Sequence, residues 1–86
     1  MNELSQQIRL VLNEGGTLPV DATTLNDSDD LYAVGLTSHA TVNLMLGLEE
    51  RFDVEFPDRL LRRRTFESID AISAAVNELL ATKKAA

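Results

Sequence analysis

Ser38 is the residue whose type and position offer chemistry most directly. It stands in the run GLTSHA, residues 35–40, where an acidic, polar stretch gives way to a strongly periodic apolar segment. If Thr37 caps the helix that begins here, the hydroxyl of Ser38 stays free and exposed. The free N–H groups at a helix start also favour an attached phosphate or phosphodiester. Local spacing alone leaves open that Ser38 is an ordinary N-cap with nothing attached.

Apolar spacing predicts four helices around this serine. The first covers residues 3–14 and stops at Gly15-Gly16, and the second runs from Ser38 to about Asp53. A short third helix has Pro57 in its first turn and continues through Leu61. Thr65 is expected to cap the fourth, whose buried stripe is Ile69, Ile72, Val76, Leu79 and Leu80. We therefore expect one all-α domain over residues 1–86, a four-helix bundle with frayed ends at 1–2 and 82–86.

The long connection between the first two helices is expected to be either functional or held by its own apolar anchors, because so long a loop is unusual in a small domain. The candidates are Leu18, Val20, Leu25, Leu31, Tyr32 and Leu36. Within the second helix, Gly47 is expected to mark a point of close packing. Val42 and Ile72 are assigned to the aliphatic core, where an unpaired charge is expected to unfold the domain.

Composition excludes several classes of function. A net charge of −6 argues against binding to nucleic acid or to an anionic membrane, since both reward clustered cations. No cysteine is present, and neither a signal peptide nor about 18 consecutive apolar residues can be found, so a cytoplasmic location is expected. A monomer is the simpler expectation for the oligomeric state.

Neither a catalytic pair nor a metal site is expected. His39 adjoins Ser38, but neighbouring residues on a helix diverge by about 100°, so the two side chains do not face each other. The acidic loop around Asp27 and Asp29 lacks the spacing of a calcium loop, because Tyr32 stands where its glycine belongs.

The chain as a whole resembles the acyl and peptidyl carrier proteins. The resemblance is carried by DLYAVGLTSHATVNLMLGLEERF at residues 30–52, VEFPD at 54–58 and TFESI at 65–69. It implies a four-helix bundle of acyl-carrier type, with a long first loop and a short third helix. It also implies that a phosphopantetheinyl transferase esterifies Ser38 with 4′-phosphopantetheine, whose thiol carries cargo as a thioester. A carrier of this kind is not itself an enzyme.

Departures from the commonest pattern of that family bear on cargo and partners. Thr37 and His39 replace the usual aspartate and leucine beside the serine, and four arginines crowd the third segment. Arginine pairs bidentately with carboxylates, so these side chains could meet an acidic partner, although a charge run is often only a solvated face. The residues assigned to partner recognition are Thr37, His39, Val42, Arg59, Arg62, Arg63 and Arg64.

The same departures favour partners other than fatty-acid synthase enzymes. The chain is similar to stand-alone carriers that receive amino acids from amino acid:carrier-protein ligases resembling class II aminoacyl-tRNA synthetase cores. An aminoacyl cargo, passed on to a downstream acceptor enzyme, is the favoured interpretation. Two alternatives stay open: a specialised fatty-acyl or polyketide carrier, and an unmodified helical protein-interaction domain.

Overall fold

Three α-helices form the framework of the fold, and short turns shape the segments between them. The computed structural model describes residues 3–15 and 18–85. The α-helices are α1, Glu3–Glu14, α2, Ser38–Phe52, and α3, Ile69–Ala85, and 3-10 turns lie at Ala22–Thr24, Asp58–Leu60 and Arg63–Phe66. No β-strand occurs in these described ranges. The predictions for residues 1–2, Gly16 and Ala86 fall outside them.

The predicted bounds of the first two helices are confirmed. After α1, the backbone N–H of Gly15 donates to the carbonyl oxygen of Val11 at 3.1 Å. α2 ends because Asp53 adopts the left-handed conformation, with φ 53° and ψ 52°, and its N–H donates to the carbonyl oxygen of Glu49. This cap turns the chain out of the helix while satisfying one of the last carbonyls.

The expected third helix is replaced by two 3-10 turns within the described residues. The turns at Asp58–Leu60 and Arg63–Phe66 are separated by Leu61 and Arg62, and Arg62 is extended at φ −129° and ψ 152°. Pro57 lies before the first turn, with ψ 161°, and not inside it as predicted. The rings of Phe56 and Phe66 pack with centroids 5.5 Å apart, which fixes both ends of the segment on the core. The fold is all-α with three helices, and the predicted count of four is not confirmed.

The cap of the last helix was assigned to the wrong hydroxyl. Thr65 is buried inside the turn Arg63–Phe66 and does not begin a helix. Ser68 takes that role, because its Oγ accepts the backbone N–H of Ala71 at 3.0 Å, and α3 begins one residue later. Both residues are good N-cap types. Burial of Thr65 beside Phe66 decides between them.

One aliphatic core joins the helices and the loop. Its buried members are Ile8, Val11, Leu12, Ala22, Leu31, Leu36, Leu44, Leu48, Phe56, Phe66, Ile69, Ile72, Ala75, Val76 and Leu79. The predicted stripe of α3 is confirmed: Ile72 and Val76 are fully buried, and Leu80 packs partly buried against them. α1 lies against both other helices. At the α1–α2 contact, a Cβ on Gly47 would lie 3.0 Å from Val11 Cγ1, so close packing there is confirmed.

The assignment of Val42 to the core is wrong. Val42 and Leu46 are each 52% exposed, whereas Leu44 and Leu48 of the same helix are fully buried. Apolar residues occur on several sides of α2, so their spacing does not single out the face that packs on α1 and α3. The exposed pair instead covers the side of α2 that faces solvent.

The loop from residue 18 to 37 is held by polar contacts as well as by apolar anchors. Leu31 and Leu36 are buried as predicted, but Val20 is 43% exposed and does not act as an anchor. The Arg9 guanidinium binds the carboxylate of Asp27 at 2.6 Å and the carbonyl of Leu25 at 2.9 Å. These contacts fix the loop on α1.

The loop is also fixed on the start of α3. The backbone N–H of Asp70 donates to the carbonyl oxygen of Asp27 at 2.9 Å. The backbone N–H of Leu31 donates to the backbone carbonyl oxygen of Glu67 at 2.7 Å. The loop therefore bridges the first and last helices and presents its final residues at the beginning of α2.

The last turns of α3 contact the end of α2. The helix continues through residues 82–85, which were predicted to fray, and Lys83 Nζ binds the Asp53 carboxylate at 2.7 Å. None of the helices among residues 3–15 and 18–85 combines the length and apolar character needed to cross a membrane.

Candidate functional site

Thr37 forms the cap at the start of α2. It is extended, with φ −88° and ψ 168°, and its Oγ1 accepts the backbone N–H of Ala40 at 3.0 Å. Its carbonyl oxygen accepts both the backbone N–H and the hydroxyl of Thr41, at 2.9 and 2.8 Å. The cap predicted from sequence is confirmed, and it uses the threonine hydroxyl that precedes Ser38.

Ser38 is therefore the first residue of the helix and is exposed. No hydrogen bond to its Oγ is found from residues 3–15 or 18–83. The hydroxyl lies at the positive end of the helix dipole, where an attached anion is stabilised. The position provides a reachable oxygen in a setting that favours negative charge.

A glycine with a positive φ directs the loop into this position. Gly35 has φ 119°, and a Cβ there would lie 2.7 Å from Cγ and Cδ of Pro19. Only glycine adopts this conformation at low cost. The next residue, Leu36, is buried and donates its N–H to the carbonyl oxygen of Leu31 at 2.9 Å. These contacts fix the backbone that leads into Thr37.

An open groove of about 380 Å³ runs beside Ser38, between α2 and the turn Arg63–Phe66. Its lining consists of Tyr32, Ser38, Thr41, Val42, Met45, Leu61, Arg62, Arg63 and Phe66. The walls are mainly apolar, and the two arginines supply positive charge. Val42 and Leu61, at 52% and 46% exposed, keep much of their apolar surface in solvent.

Tyr32 connects this groove to the loop, a role that the sequence analysis missed. The Arg63 guanidinium carbon lies 3.9 Å from the centre of the Tyr32 ring, a cation–π contact. The Tyr32 hydroxyl also donates to the Arg63 carbonyl oxygen at 2.9 Å. Tyr32 was expected to be an apolar anchor, and the one signal for its second role was the polar tip of the only tyrosine in the chain.

The four arginines, which sequence grouped together, divide between two surfaces. Arg62 and Arg63 line the groove beside Ser38. Arg59 instead forms an ion pair with Glu78 of α3, with N–O distances of 3.0 and 3.2 Å. Arg64 lies beside the same face of α3, near Glu78. Only half of the cluster adjoins the serine.

The remaining predicted recognition residues lie near the helix start but not in the groove. Thr37 and His39 are exposed and are not among the described residues that line it. Sequence reasoning also passed over Thr41, Met45 and Leu61 as lining residues, because a turn distant in sequence forms the opposite wall. Among the described residues, no group of three or more His, Cys, Asp or Glu side chains is placed to share a metal ion.

Two carboxyl groups with lowered pKa values stabilise turns outside the groove. The pKa of Asp21 is lowered by hydrogen bonds from the Thr23 backbone and hydroxyl, and then by Asn13. The pKa of Asp53 is lowered by its hydrogen bond with Lys83 and by the charge of that lysine. Their role is to hold loop and helix ends.

The chain belongs to the family described as phosphopantetheine attachment site, which matches residues 15–76. Membership implies a covalently attached 4′-phosphopantetheine, and the surroundings of Ser38 fit that group. Its hydroxyl is exposed and unused by the cap, it lies at a helix N-terminus, and two guanidinium groups line the adjacent groove. The fold and the family together define a carrier protein.

Individual relatives narrow this class. The chain is 51% identical over 83 residues to the aminoacyl carrier protein of Agrobacterium fabrum, covering 96% of this chain and 100% of the relative. It is also similar to a crystal structure of engineered Bradyrhizobium japonicum glycine:[carrier protein] ligase complexed with carrier protein from Agrobacterium tumefaciens and ATP. The TM-score is 0.84 and the identity 50%, and the match covers 88% of this chain and 99% of that one. A crystal structure of the Bradyrhizobium japonicum ligase complexed with glycylated carrier protein matches with a TM-score of 0.74 and 30% identity, over 86% and 99% of the chains.

Proposed function

We propose that residues 1–86 are one carrier domain that holds an activated amino acid on a 4′-phosphopantetheine arm attached to Ser38. An amino acid:carrier-protein ligase loads the amino acid, and an acceptor enzyme receives it. The cytoplasmic location expected from the sequence is part of the same proposal. The protein is not a catalyst here but the substrate of its partner enzymes.

The observation that supports Ser38 as the attachment site is that the neighbouring hydroxyl of Thr37 caps the helix. Thr37 Oγ1 accepts the N–H of Ala40, so capping α2 does not require Ser38. Ser38 is exposed at the first helical position, where a transferase can reach it. The phosphodiester formed on it gains from the helix dipole.

The aminoacyl cargo is supported by the relatives. The Agrobacterium fabrum protein, 51% identical, is an aminoacyl carrier protein, and two of the similar solved structures are crystal complexes with glycine:[carrier protein] ligase. When bound, the arm supplies a terminal thiol that holds the acyl group as a thioester. Glycine is therefore the first amino acid to test.

The protein's own residues position the attachment point. Thr37 orients the start of α2, and Gly35 allows the loop to pass Pro19 on its way to the cap. Neither residue needs to transfer a proton. Ser38 and His39 are adjacent on the helix and do not form a nucleophile–base pair, in keeping with a carrier that leaves chemistry to its partners.

Intact mass tests the attachment. After incubation with coenzyme A and a phosphopantetheinyl transferase, the wild-type chain should gain one phosphopantetheine, and Ser38→Ala should gain none. Ser28→Ala, which removes an exposed loop hydroxyl, is the matched control and should gain the full mass. If the wild type gains no mass with several transferases, an unmodified interaction domain becomes the better interpretation.

The cargo is tested on the modified protein. Incubation with an amino acid:carrier-protein ligase, ATP and each amino acid should produce a thioester that mild hydroxylamine releases. Recovery of the same amino acid from protein isolated with its native cargo would support the assignment. Recovery of long acyl chains alone would overturn it in favour of the fatty-acyl or polyketide alternative.

Partner contact is proposed for the surface around the serine. Thr37, His39 and the half-exposed Val42 supply its centre, and the arginines at 59 and 62–64 supply positive charge toward an acidic partner. Arg59 is the weakest candidate, because Glu78 already compensates its charge. Exposed pairs of this kind affect encounter rates more than final affinity.

Charge reversal tests this surface. Each of the variants Arg62→Glu, Arg63→Glu and Arg64→Glu should raise the KM of the ligase for the carrier by about 3–10-fold. Added salt should raise the KM for the wild type, because it screens exposed charges. Lys83→Glu in the last turns of α3 changes net charge equally and should leave KM near the wild-type value. Unchanged KM values for all three arginine variants would mean that these residues do not contribute to recognition of the ligase.

A further inference from the structure

Two positive side chains share a groove with the attachment serine in a chain of net charge −6. Arg62 and Arg63 line the same groove as Ser38. Neither guanidinium forms an ion pair with a carboxylate in the part of the chain that the structure describes, whereas Arg59 is neutralised by Glu78. The charge beside Ser38 is therefore available to an anion.

Arg63 is fixed in this position before any ligand binds. Its guanidinium lies over the Tyr32 ring at 3.9 Å, and its carbonyl oxygen accepts the tyrosine hydroxyl at 2.9 Å. A guanidinium stacked on an aromatic face keeps its N–H groups at the edge of the plane, where they can still bind two oxygens of a phosphate. Tyr32 thus holds the Arg63 guanidinium where it can donate hydrogen bonds to a phosphate.

The rest of the groove suits a partly apolar group. Met45 and Phe66 are partly or fully buried in its wall, and Val42 and Leu61 expose apolar surface along it. Pantetheine has this character, because its dimethyl segment and amides follow directly on the phosphate. The groove therefore combines the groups that this arm would contact, with two arginines for the phosphodiester and apolar side chains for the pantetheine.

We propose that Arg62 and Arg63 bind the phosphodiester on Ser38 and hold the arm along this groove until a partner enzyme displaces it. This inference rests on the proposed attachment at Ser38 and assigns a role that needs no partner protein. Bidentate, charge-assisted hydrogen bonds from guanidinium to phosphate oxygens supply the attraction. Tyr32 is a positioning residue for Arg63.

Thermal unfolding of the apo and modified forms tests the proposal without any ligase. The modified wild type should melt about 2–6 °C above the apo form at low salt, and most of this gain should vanish near 1 M salt. In the double variant Arg62→Gln/Arg63→Gln the gain should be lost. The matched double variant Arg59→Gln/Arg64→Gln removes the same charge on the α3 side and should keep it.

Two further readouts report on the arginines directly. Modification should slow tryptic cleavage after Arg62 and Arg63 in the wild type, and the ³¹P resonance of the modified protein should move only in the Arg62→Gln/Arg63→Gln variant. A modified wild type that melts at or below the apo form, or equal losses in both double variants, would overturn the proposal. If Ser38 takes up no phosphopantetheine at all, the proposed function itself fails, a result that the mass measurement reports separately.

Discussion

The two faces of α2 have similar side chains but opposite surroundings. On one face Leu44 and Leu48 are fully buried against the other helices, and on the other Val42 and Leu46 are each 52% exposed. The buried face belongs to a packed aliphatic core. The exposed face borders the groove and carries Ser38 at its N-terminal end.

This difference shows how one helix serves stability and function together. Burying an aliphatic side chain contributes roughly 1.5–3 kcal/mol, and the inner face supplies that contribution. The half-exposed side chains of the other face bury less apolar area and contribute less to folding, and their remaining surface is available to a partner. The exposed face carries Ser38, the proposed attachment point.

A buried charge should separate the core from the open face most strongly. Ile72→Asp places an unpaired carboxylate at a fully buried position and should unfold a domain whose total stability is about 5–10 kcal/mol. Val42→Asp should change stability by less than about 0.5 kcal/mol, because its side chain is half exposed. Circular dichroism at ambient temperature distinguishes the two, and loss of helix in Val42→Asp would contradict the assignment of the open face.

Truncation within α2 sharpens the comparison at constant chemistry. Leu48→Ala should cost about 2–5 kcal/mol, since it leaves a cavity in the core, and Leu46→Ala less than about 0.5 kcal/mol. Urea unfolding measures both. Similar losses for the two variants would mean that the faces are not distinct.

Gly35 tests how tightly the loop beneath the open face is held. Gly35→Ala combines φ 119° with a clash against Pro19 and should cost about 1–3 kcal/mol. Adding Pro19→Ala should recover the part due to the clash and leave the part due to the backbone. Chemical denaturation of the single and double variants measures this, and an unchanged Gly35→Ala would show that the loop relaxes freely.

The serine that caps α3 and a serine within that helix should respond in opposite directions. Ser68→Ala removes the cap on Ala71 and should destabilise the protein by about 1 kcal/mol. Ser73 Oγ is buried without a hydrogen-bond partner in the described part of the chain, so Ser73→Ala should stabilise it by about 0.5–1 kcal/mol. Melting temperatures of the pair provide the measurement, and a stabilising Ser68→Ala would contradict the capping role of Ser68.

The smallest change in stability is expected for the Asp53–Lys83 contact. This contact lies at the C-terminal end of α2, and Ser38 lies at the N-terminal end. The pKa of Asp53 is lowered below 3.8 by Lys83, so its contribution to stability is present above that value and is lost as pH falls through the lower folded pKa. Asp53→Asn should melt slightly below the wild type near neutral pH and match it at about pH 2. A difference between the two proteins that does not depend on pH would contradict this role. Asparagine also tolerates the left-handed backbone, so the comparison isolates the charge.

Local chemistry explains which features could be predicted. Thr37 as cap, Ser38 as first helical residue and the stripe of α3 depend on residue type and short-range spacing, which the sequence displays directly. The cap at Ser68 was missed because Thr65 offers an equally good hydroxyl three residues earlier. Val42 was wrongly assigned to the core because α2 itself has apolar residues on several faces.

The sequence by itself determined an all-α chain, a net negative charge and two adjacent hydroxyls at the start of a central helix, because helix periodicity, charge and capping preference act within a few residues. Only the tertiary structure decided which face of α2 is buried, that the arginines divide between Glu78 and the groove, and that Tyr32 fixes Arg63. Those outcomes depend on contacts between segments far apart in the chain, and packing of the whole core selects among local choices of similar energy.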